Sequence, residues 1–274
     1  MNTHAHATRF SSRALLPLLS LLLATAGLLH TRTAQAEEPA ASTDQAGQTG
    51  DMTRWGLGIG VSSDTRPYRD FDRKPEFMPL LAFENRWVRV AGPGVELKLL
   101  RHDAVALGMT LSYARDGYRP DDSPVLAGMA RRSPSAWLGL RASLRSPVGQ
   151  LTAEWSGDAA SHSKGRKLKL GLDHRFAQGE FGLTPRVSAT WLDAAFVQYY
   201  FGVEAGEARA DRAAYTPGSA VNVDAGLRLD WRLDAQQTLF ADLGVTRLGR
   251  SIRSSPLVDR STVPGARLGW LYRF

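Results

Sequence analysis

Between residues 221 and 233, "VNVDAGLRLDWRL", every second position is apolar: Val221, Val223, Ala225, Leu227, Leu229, Trp231 and Leu233. Asn222, Asp224, Gly226, Arg228, Asp230 and Arg232 fill the positions between. Successive side chains of a β-strand point to opposite faces, so the segment predicts a strand with one apolar face and one charged face. Strands of globular proteins are typically about 5–6 residues long, whereas a tilted strand needs about 9–11 residues to cross bilayer hydrocarbon. The length of this alternation fits the second case.

The pattern recurs along the chain, in Trp55–Val61, Val105–Tyr113, Leu138–Leu144, Leu168–Phe176 and Phe181–Trp191. It predicts twelve strands, at 54–62, 76–84, 86–91, 94–101, 104–115, 135–145, 148–157, 166–176, 181–192, 220–233, 236–248 and 263–274. Tight turns at 84–85, 102–103, 146–147, 177–180 and 234–235 alternate with longer segments at 63–75, 116–134, 158–165, 193–219 and 249–262. Only the Gly92-Pro93 turn breaks this rule. Short periplasmic turns and long external loops characterise outer-membrane barrels. In hydrocarbon each unpaired backbone group costs several kcal/mol, so such a sheet must close on itself. The predicted fold is an all-β transmembrane antiparallel barrel over 54–274. Trp55, Trp87, Trp155, Trp191, Trp231 and Trp270 lie near strand ends, where aromatic girdles form.

The two ends of the chain support this reading. Leu268, Trp270, Tyr272 and Phe274 alternate to the final residue, as the strand closing a barrel would, and resemble the C-terminal signal read by the barrel-assembly machinery. At the other end, Arg9 and Arg13 precede a leucine-rich run over 14–29, followed by Ala34-Gln35-Ala36. A basic segment, a short apolar segment and an A-x-A site predict a secretory signal peptide, 1–36, cut after Ala36. Residues 37–53, "EEPAASTDQAGQTGDMT", are small and polar without a period and read as a flexible periplasmic lead-in. Removing Arg9, Arg13 and Arg32 with the signal takes the net charge from +7 to +4, and the basic residues are scattered. That distribution excludes a nucleic-acid partner. The chain has no cysteine, so neither a disulfide framework nor a thiolate metal site is possible.

Four segments carry a family resemblance. They are "WGLGIGVSSDTRPYRDFD" at 55–72, "FMPLLAFENRWVRVAGPGVEL" at 77–97, "QYYFGV" with "AYTPGSAVN" at 198–222, and "TRLGRSIRSSPLVDRS" at 246–261. In this order they resemble the MipA/OmpV family, the MltA-interacting and OmpV-like outer-membrane proteins. The resemblance implies an outer-membrane barrel without catalysis or cofactor. It also implies a scaffold joining a lytic transglycosylase to a murein synthase, or another role in envelope organisation. A narrow channel affecting solute or antibiotic entry is the alternative.

A barrel enzyme would need a nucleophile, a base and an orienting group close together. Ser161, His162, Ser163 and Asp158 share one external loop, but no spacing fixes a partner for the histidine, which reads as a solvated loop residue. Asp121-Asp122 and Asp158 do not supply the six to eight oxygen ligands of a calcium site. Lys169, Arg186, Arg228, Asp230 and Arg232 head the charges predicted to line the lumen. Their mixed signs favour ion-paired networks over a wide channel of one sign. Pro67, Tyr68, Asp70 and Asp72, Tyr199 and Tyr200, and Ser255, Pro256 and Asp259 mark the loops expected to carry a functional surface. Turn chemistry explains the same residue types, and the loops alternatively fold inward to brace the barrel. External basic residues, including Arg66, Arg131, Lys164, Arg250 and Arg253, are candidates to meet lipopolysaccharide phosphates.

Overall fold

A computed structural model describes residues 53–71 and 75–274. Its strands are β1 (Arg54–Asp64), β2 (Glu76–Glu84), β3 (Val88–Ala91), β4 (Gly94–His102), β5 (Val105–Ala114), β6 (Ser135–Ser146) and β7 (Gly149–Asp158). They continue with β8 (Arg166–Asp173), β9 (Phe176–Gln178), β10 (Phe181–Leu192), β11 (Ala220–Arg232), β12 (Gln237–Arg247) and β13 (Thr262–Arg273). Two helices, α1 (Ala194–Phe201) and α2 (Arg250–Arg253), lie in the long loops.

Both β8 and β9 pair with β10, so they are two halves of one stave, and the closed ring has twelve antiparallel staves. The continuous strand expected at 166–176 is therefore interrupted at His174-Arg175. The break leaves the alternation intact: Arg175 still reaches inward to Asp230 at 2.7 Å, and Phe176 stays exposed outside. The other predicted strands stand within about two residues of their observed ends. The ring closes where β1 pairs with β13, from Gly56↔Arg273 to Asp64↔Gly265.

The outer surface is apolar on every stave. Ile59 is 69% exposed, Leu170 53%, Val187 55% and Leu243 57%. A continuous belt of this kind marks a lipid-facing surface, since in water each Å² of it costs about 25 cal/mol. Trp270, Tyr272 and Phe274 lie on this outer face, and the Phe274 N–H donates to Trp55 O at 3.0 Å across the seam. Gly58 makes the seam tight: a Cβ there would stand 2.0 Å from Trp270 O.

The buried hydrophobic core is not in the middle of the barrel. Its members, from Tyr68 through Trp137, Tyr200 and Ile252 to Val258, belong to the long loops and the strand ends beside them. The chain ends on the opposite rim, with the tight turns. The long loops thus build a lid over one mouth.

Candidate functional site: the lid and the lumen beneath it

The lid is organised by α1. Asp193 starts the helix, its side chain accepting the Phe196 N–H at 2.8 Å, as N-cap aspartates do. Phe196, Val197, Tyr200 and Phe201 are buried. Phe196 tilts against Trp137 on β6, with ring centroids 5.7 Å apart, and Phe201 stacks on Tyr68 at 5.6 Å. Lys167 lies 3.7 Å from the Trp137 ring centroid and 4.5 Å from that of Phe196, a cation–π arrangement under the helix. Three further loops are tied to α1. Tyr68 Oη donates to Tyr200 O at 3.1 Å, Tyr200 Oη donates to Ser133 O at 3.1 Å, and Ser255 Oγ donates to Phe201 O at 2.7 Å. Burial pushes the Tyr68 phenol well above its ordinary value and the Tyr118 phenol up to about 12, so both stay neutral at physiological pH.

A charged cluster locks the outer part of the lid. Arg212, 1% exposed, sends Nε and Nη2 to Glu207 O and Nη1 to Val125 O and Ala127 O. The Glu207 carboxylate receives the Ala130 N–H at 2.8 Å, the Glu204 N–H at 3.1 Å and Arg132 Nη2 at 2.9 Å. Burial alone would push this carboxyl up, but the Ala130 and Glu204 amides and the Arg132 guanidinium outweigh it and hold it below the usual carboxylate range. A carboxyl depressed on folding contributes stability that is complete above its unfolded value, about 4.3, and is lost as pH falls through the folded value. The lid should therefore be firm at neutral pH and loosen in acid. Pepsin cleavage within 194–219 should rise as pH is lowered from about 5 to about 3, and Glu207→Gln should flatten that rise. A rise of equal size in the variant would assign the acid response to another group.

The lid also has weak points. Tyr118 Oη and Trp137 Nε1 are buried without a hydrogen-bond partner among the described residues. A buried unpaired polar atom costs about 1–3 kcal/mol, which lowers the cost of opening.

Below the lid, two contiguous cavities of about 410 and 1020 Å³ share Asp224, Asp242 and Arg267 in their linings. One side of the lumen is charged and paired. Arg141 bridges Glu154 at 2.6 Å and Glu96 at 3.2 Å, and Arg186 grips Asp242 through two bonds of 2.8 and 2.6 Å. Asp230 holds Arg228 at 2.9 Å and Arg175 at 2.7 Å, while Arg228 also lies over the Phe240 ring at 4.1 Å. The other side is apolar, with Met78, Leu80, Ala82 and Leu271 facing the larger cavity.

Most of the sequence-derived candidates fall into these two places. Lys169, Arg186, Arg228 and Asp230 are on inward positions; Lys169 makes no ion pair among the described residues and lines the smaller cavity. Arg232 is at the rim, donating to Gly179 O at 3.3 Å. Tyr68, Tyr200 and Ser255 are buried in the lid, and Tyr199 Oη accepts the Ser133 N–H. Pro67 and Pro256 are half-buried beside them, Asp70 takes a positive φ of 53° in its turn, and Asp259 is exposed and pairs with Arg260. Tyr68, Tyr200 and Ser255 thus brace the mouth, while Asp70 and Asp259 stay exposed. Ala34, Ala36 and Asp72 lie outside the described residues. Sequence reasoning did not single out Trp137, Arg212 or Glu207, nor the helical form of α1. The signal for α1 was present: an aspartate before "AAFVQYYF", inside a segment too long for a structureless loop.

Among the described residues no relay for hydrolysis is assembled around His162. His162 Nδ1 is 2.9 Å from Pro134 O, while Asp158 accepts bonds from the Ser163 N–H at 2.6 Å and Ser163 Oγ at 2.7 Å. Among the described residues no group of three or more His, Cys, Asp or Glu is placed to hold a metal.

The family model described as MltA-interacting protein MipA matches residues 56–274, which covers the barrel and its lid. The chain belongs to this family. Outer membrane protein OmpV of Vibrio cholerae serotype O1 is 25% identical over 208 residues, 75% of this chain and 81% of its own. The MltA-interacting protein of Escherichia coli K12 is 25% identical over 227 residues, 81% of this chain and 90% of its own. Among solved structures, an outer-membrane channel of Pseudomonas putida F1 is similar with a TM-score of 0.44 and 13% identity, over 83% of this chain and 98% of its own. As a member of the MltA-interacting protein family with a closed barrel and a lipid-facing belt, the chain is an exported outer-membrane protein.

Proposed function

We propose that this barrel is a narrow outer-membrane channel, closed at its outer mouth by the folded lid and able to pass small polar solutes when the lid opens. The observation that carries this reading is the wide space, charged on one side, under a lid that is held by loop contacts and not by strand ladders. Twelve staves stand between the eight-stranded barrels filled by side chains and the sixteen- to eighteen-stranded barrels with an aqueous channel. The ion pairs narrow the lumen without filling it, and Lys169 keeps its charge turned to the open space.

Planar-bilayer recording of refolded residues 37–274 tests the proposal. Brief, infrequent current steps are expected at neutral pH. Lys169→Glu and Arg228→Glu should move the ion selectivity toward cations. A silent bilayer in a preparation whose heat-modifiable migration proves a folded barrel, acid treatment included, would overturn the channel.

The family description names MltA and supports a second reading, association with a lytic transglycosylase, through which a murein synthase would be reached. The tight turns on the rim that carries Arg54 and Phe274, such as that between β6 and β7, leave little surface for docking, so residues 37–53 would contribute most of the contact. Retention of the protein on an immobilised lytic transglycosylase, lost on removal of 37–53, is the result this reading requires. In either case the terminal Leu268, Trp270, Tyr272 and Phe274 serve as the assembly signal. Arg131, Lys164, Arg250 and Arg253 are exposed in the lid loops and would meet lipopolysaccharide phosphates.

A further inference from the structure

The barrel wall is not of even height. β1 and β2 pair along nine positions, up to Ser62↔Glu76, but β2 and β3 pair at only three, ending at Ala82↔Ala91. Residues Glu76–Leu80 therefore rise past the Gly92-Pro93 turn with no strand of the β3–β4 hairpin beside them. On the other flank, β5 continues two residues beyond its last pairing with β4, at Gly94↔Ser112, and pairs with β6 as far as Ala114↔Ser135. The short hairpin leaves a notch in the outer half of the wall. Its floor is the Gly92-Pro93 turn, held by Gly92 N–H on Leu81 O and Tyr113 N–H on Pro93 O, each 3.2 Å. Its top is spanned by the ion pair of Arg115 with Glu76.

The notch opens onto the larger cavity, whose lining runs from Pro93 and Tyr113 at the floor to Met78, Leu80, Ala82 and Leu271 inside. Outside, it lies between side chains of the lipid belt, Phe77 at 87% exposure and Tyr113 at 49%. We propose that it is a lateral portal through which an acyl-chain amphiphile of the outer leaflet enters the lumen. The tail would lie on Met78, Leu80 and Leu271, and the polar end near Lys167, Arg228 and Arg267, which line the same cavity. A cavity of about 1020 Å³ is at the upper end of the range that encloses drug-sized ligands.

The backbone of β2 fits a lipid neighbour and not a strand. In an antiparallel ladder successive residues turn their N–H and C=O to alternate sides. Leu81 O faces β3, so Pro79 and Phe77 also present their backbone groups to the notch. At Pro79 there is no N–H to leave unpaired in hydrocarbon, and for the same reason an added strand would find no donor there. Arg66 reduces the exposed polar groups on the β5 flank further, donating to Arg115 O.

The proposal stands apart from conduction through the outer mouth, because entry is from the side with the lid closed. The test is photolabelling of the refolded protein in phospholipid vesicles with dodecanoic acid carrying a tail diazirine, and mapping of adducts by mass spectrometry. Adducts are expected on the inward residues Met78, Leu80 or Leu271 as well as on outward Phe77 and Leu81. Ala82→Trp, which fills the lumen just inside the portal, should abolish the inward adducts and leave the outward ones. A second variant carries Glu76→Cys with Arg115→Cys in a chain that has no other cysteine. Bridging the two thiols with a bulky bifunctional reagent should remove inward labelling, and the unbridged form should keep it. Labelling confined to outward positions, or inward labelling that survives both blocks in barrels of normal heat-modifiable migration, would overturn the portal.

Discussion

Arg212→Ala should release the lid and leave the barrel standing. The guanidinium is buried and its acceptors are all main-chain carbonyls of two loops, those of Val125 and Ala127 between β5 and β6 and that of Glu207 between β10 and β11. Hydrogen bonds from a charged donor contribute about 1.5–3 kcal/mol each, and the stranded carbonyls add their own desolvation cost, so a loss on the order of 3–5 kcal/mol is expected from the lid. None of these acceptors lies on a strand, so heat-modifiable migration should be unchanged. Trypsin should cut within 194–219 far faster than in the wild type, and open-channel time in planar bilayers should rise. Arg212→Lys should behave almost like alanine, because one ammonium cannot reproduce the fork of donors. Arg209→Ala is the control, since that side chain is exposed and its loss is expected to cost no more than about 0.5 kcal/mol. An intact, protease-resistant lid in Arg212→Ala would show that the apolar contacts of α1 hold it alone.

Gly58→Val should act on the barrel itself. A Cβ at Gly58 would meet Trp270 O at 2.0 Å, a distance that only movement of one backbone from the other relieves. The two strands are β1 and β13, whose ladder closes the ring. Separating them exposes backbone groups to hydrocarbon at several kcal/mol for each, enough to remove most of a marginal protein's stability. The expected outcome is loss of the heat-modifiable species and degradation of the chain in cells. Gly94→Ala provides the comparison, because a Cβ there finds nothing nearer than 3.7 Å. Assembly of Gly58→Val at the wild-type yield would mean that the seam is looser than its geometry indicates.

The staves were legible because lipid imposes a strict rule. Val221 to Leu233 alternate without error since each outward position meets hydrocarbon and each inward one meets charge or its partner. The break at His174-Arg175 was invisible for the same reason: it preserves the side each residue faces, so nothing in the pattern changes. The lid was not legible as a lid. Phe196, Ile252 and Leu257 are as apolar as belt residues, but their burial comes from meeting one another across loops distant in sequence, which no local period records. The charged pair of Arg132 and Glu207 is separated by 75 residues and follows from no spacing rule. In the lumen, sequence supplied the inward charges but not their partners. Asp242 belongs to Arg186 because β10, β11 and β12 lie side by side, a relation set by the ring.

The lid joins Tyr68, just past the first stave, to Phe201 in α1 and to Val258, just before the last stave. Contacts of such separation carry a large entropic cost until the intervening chain is already fixed. The stopper is therefore expected to form last, after the seam of β1 and β13 has closed. Until the ring is complete the loops should stay open to a protease added during refolding, which would distinguish an unfinished barrel from the completed protein.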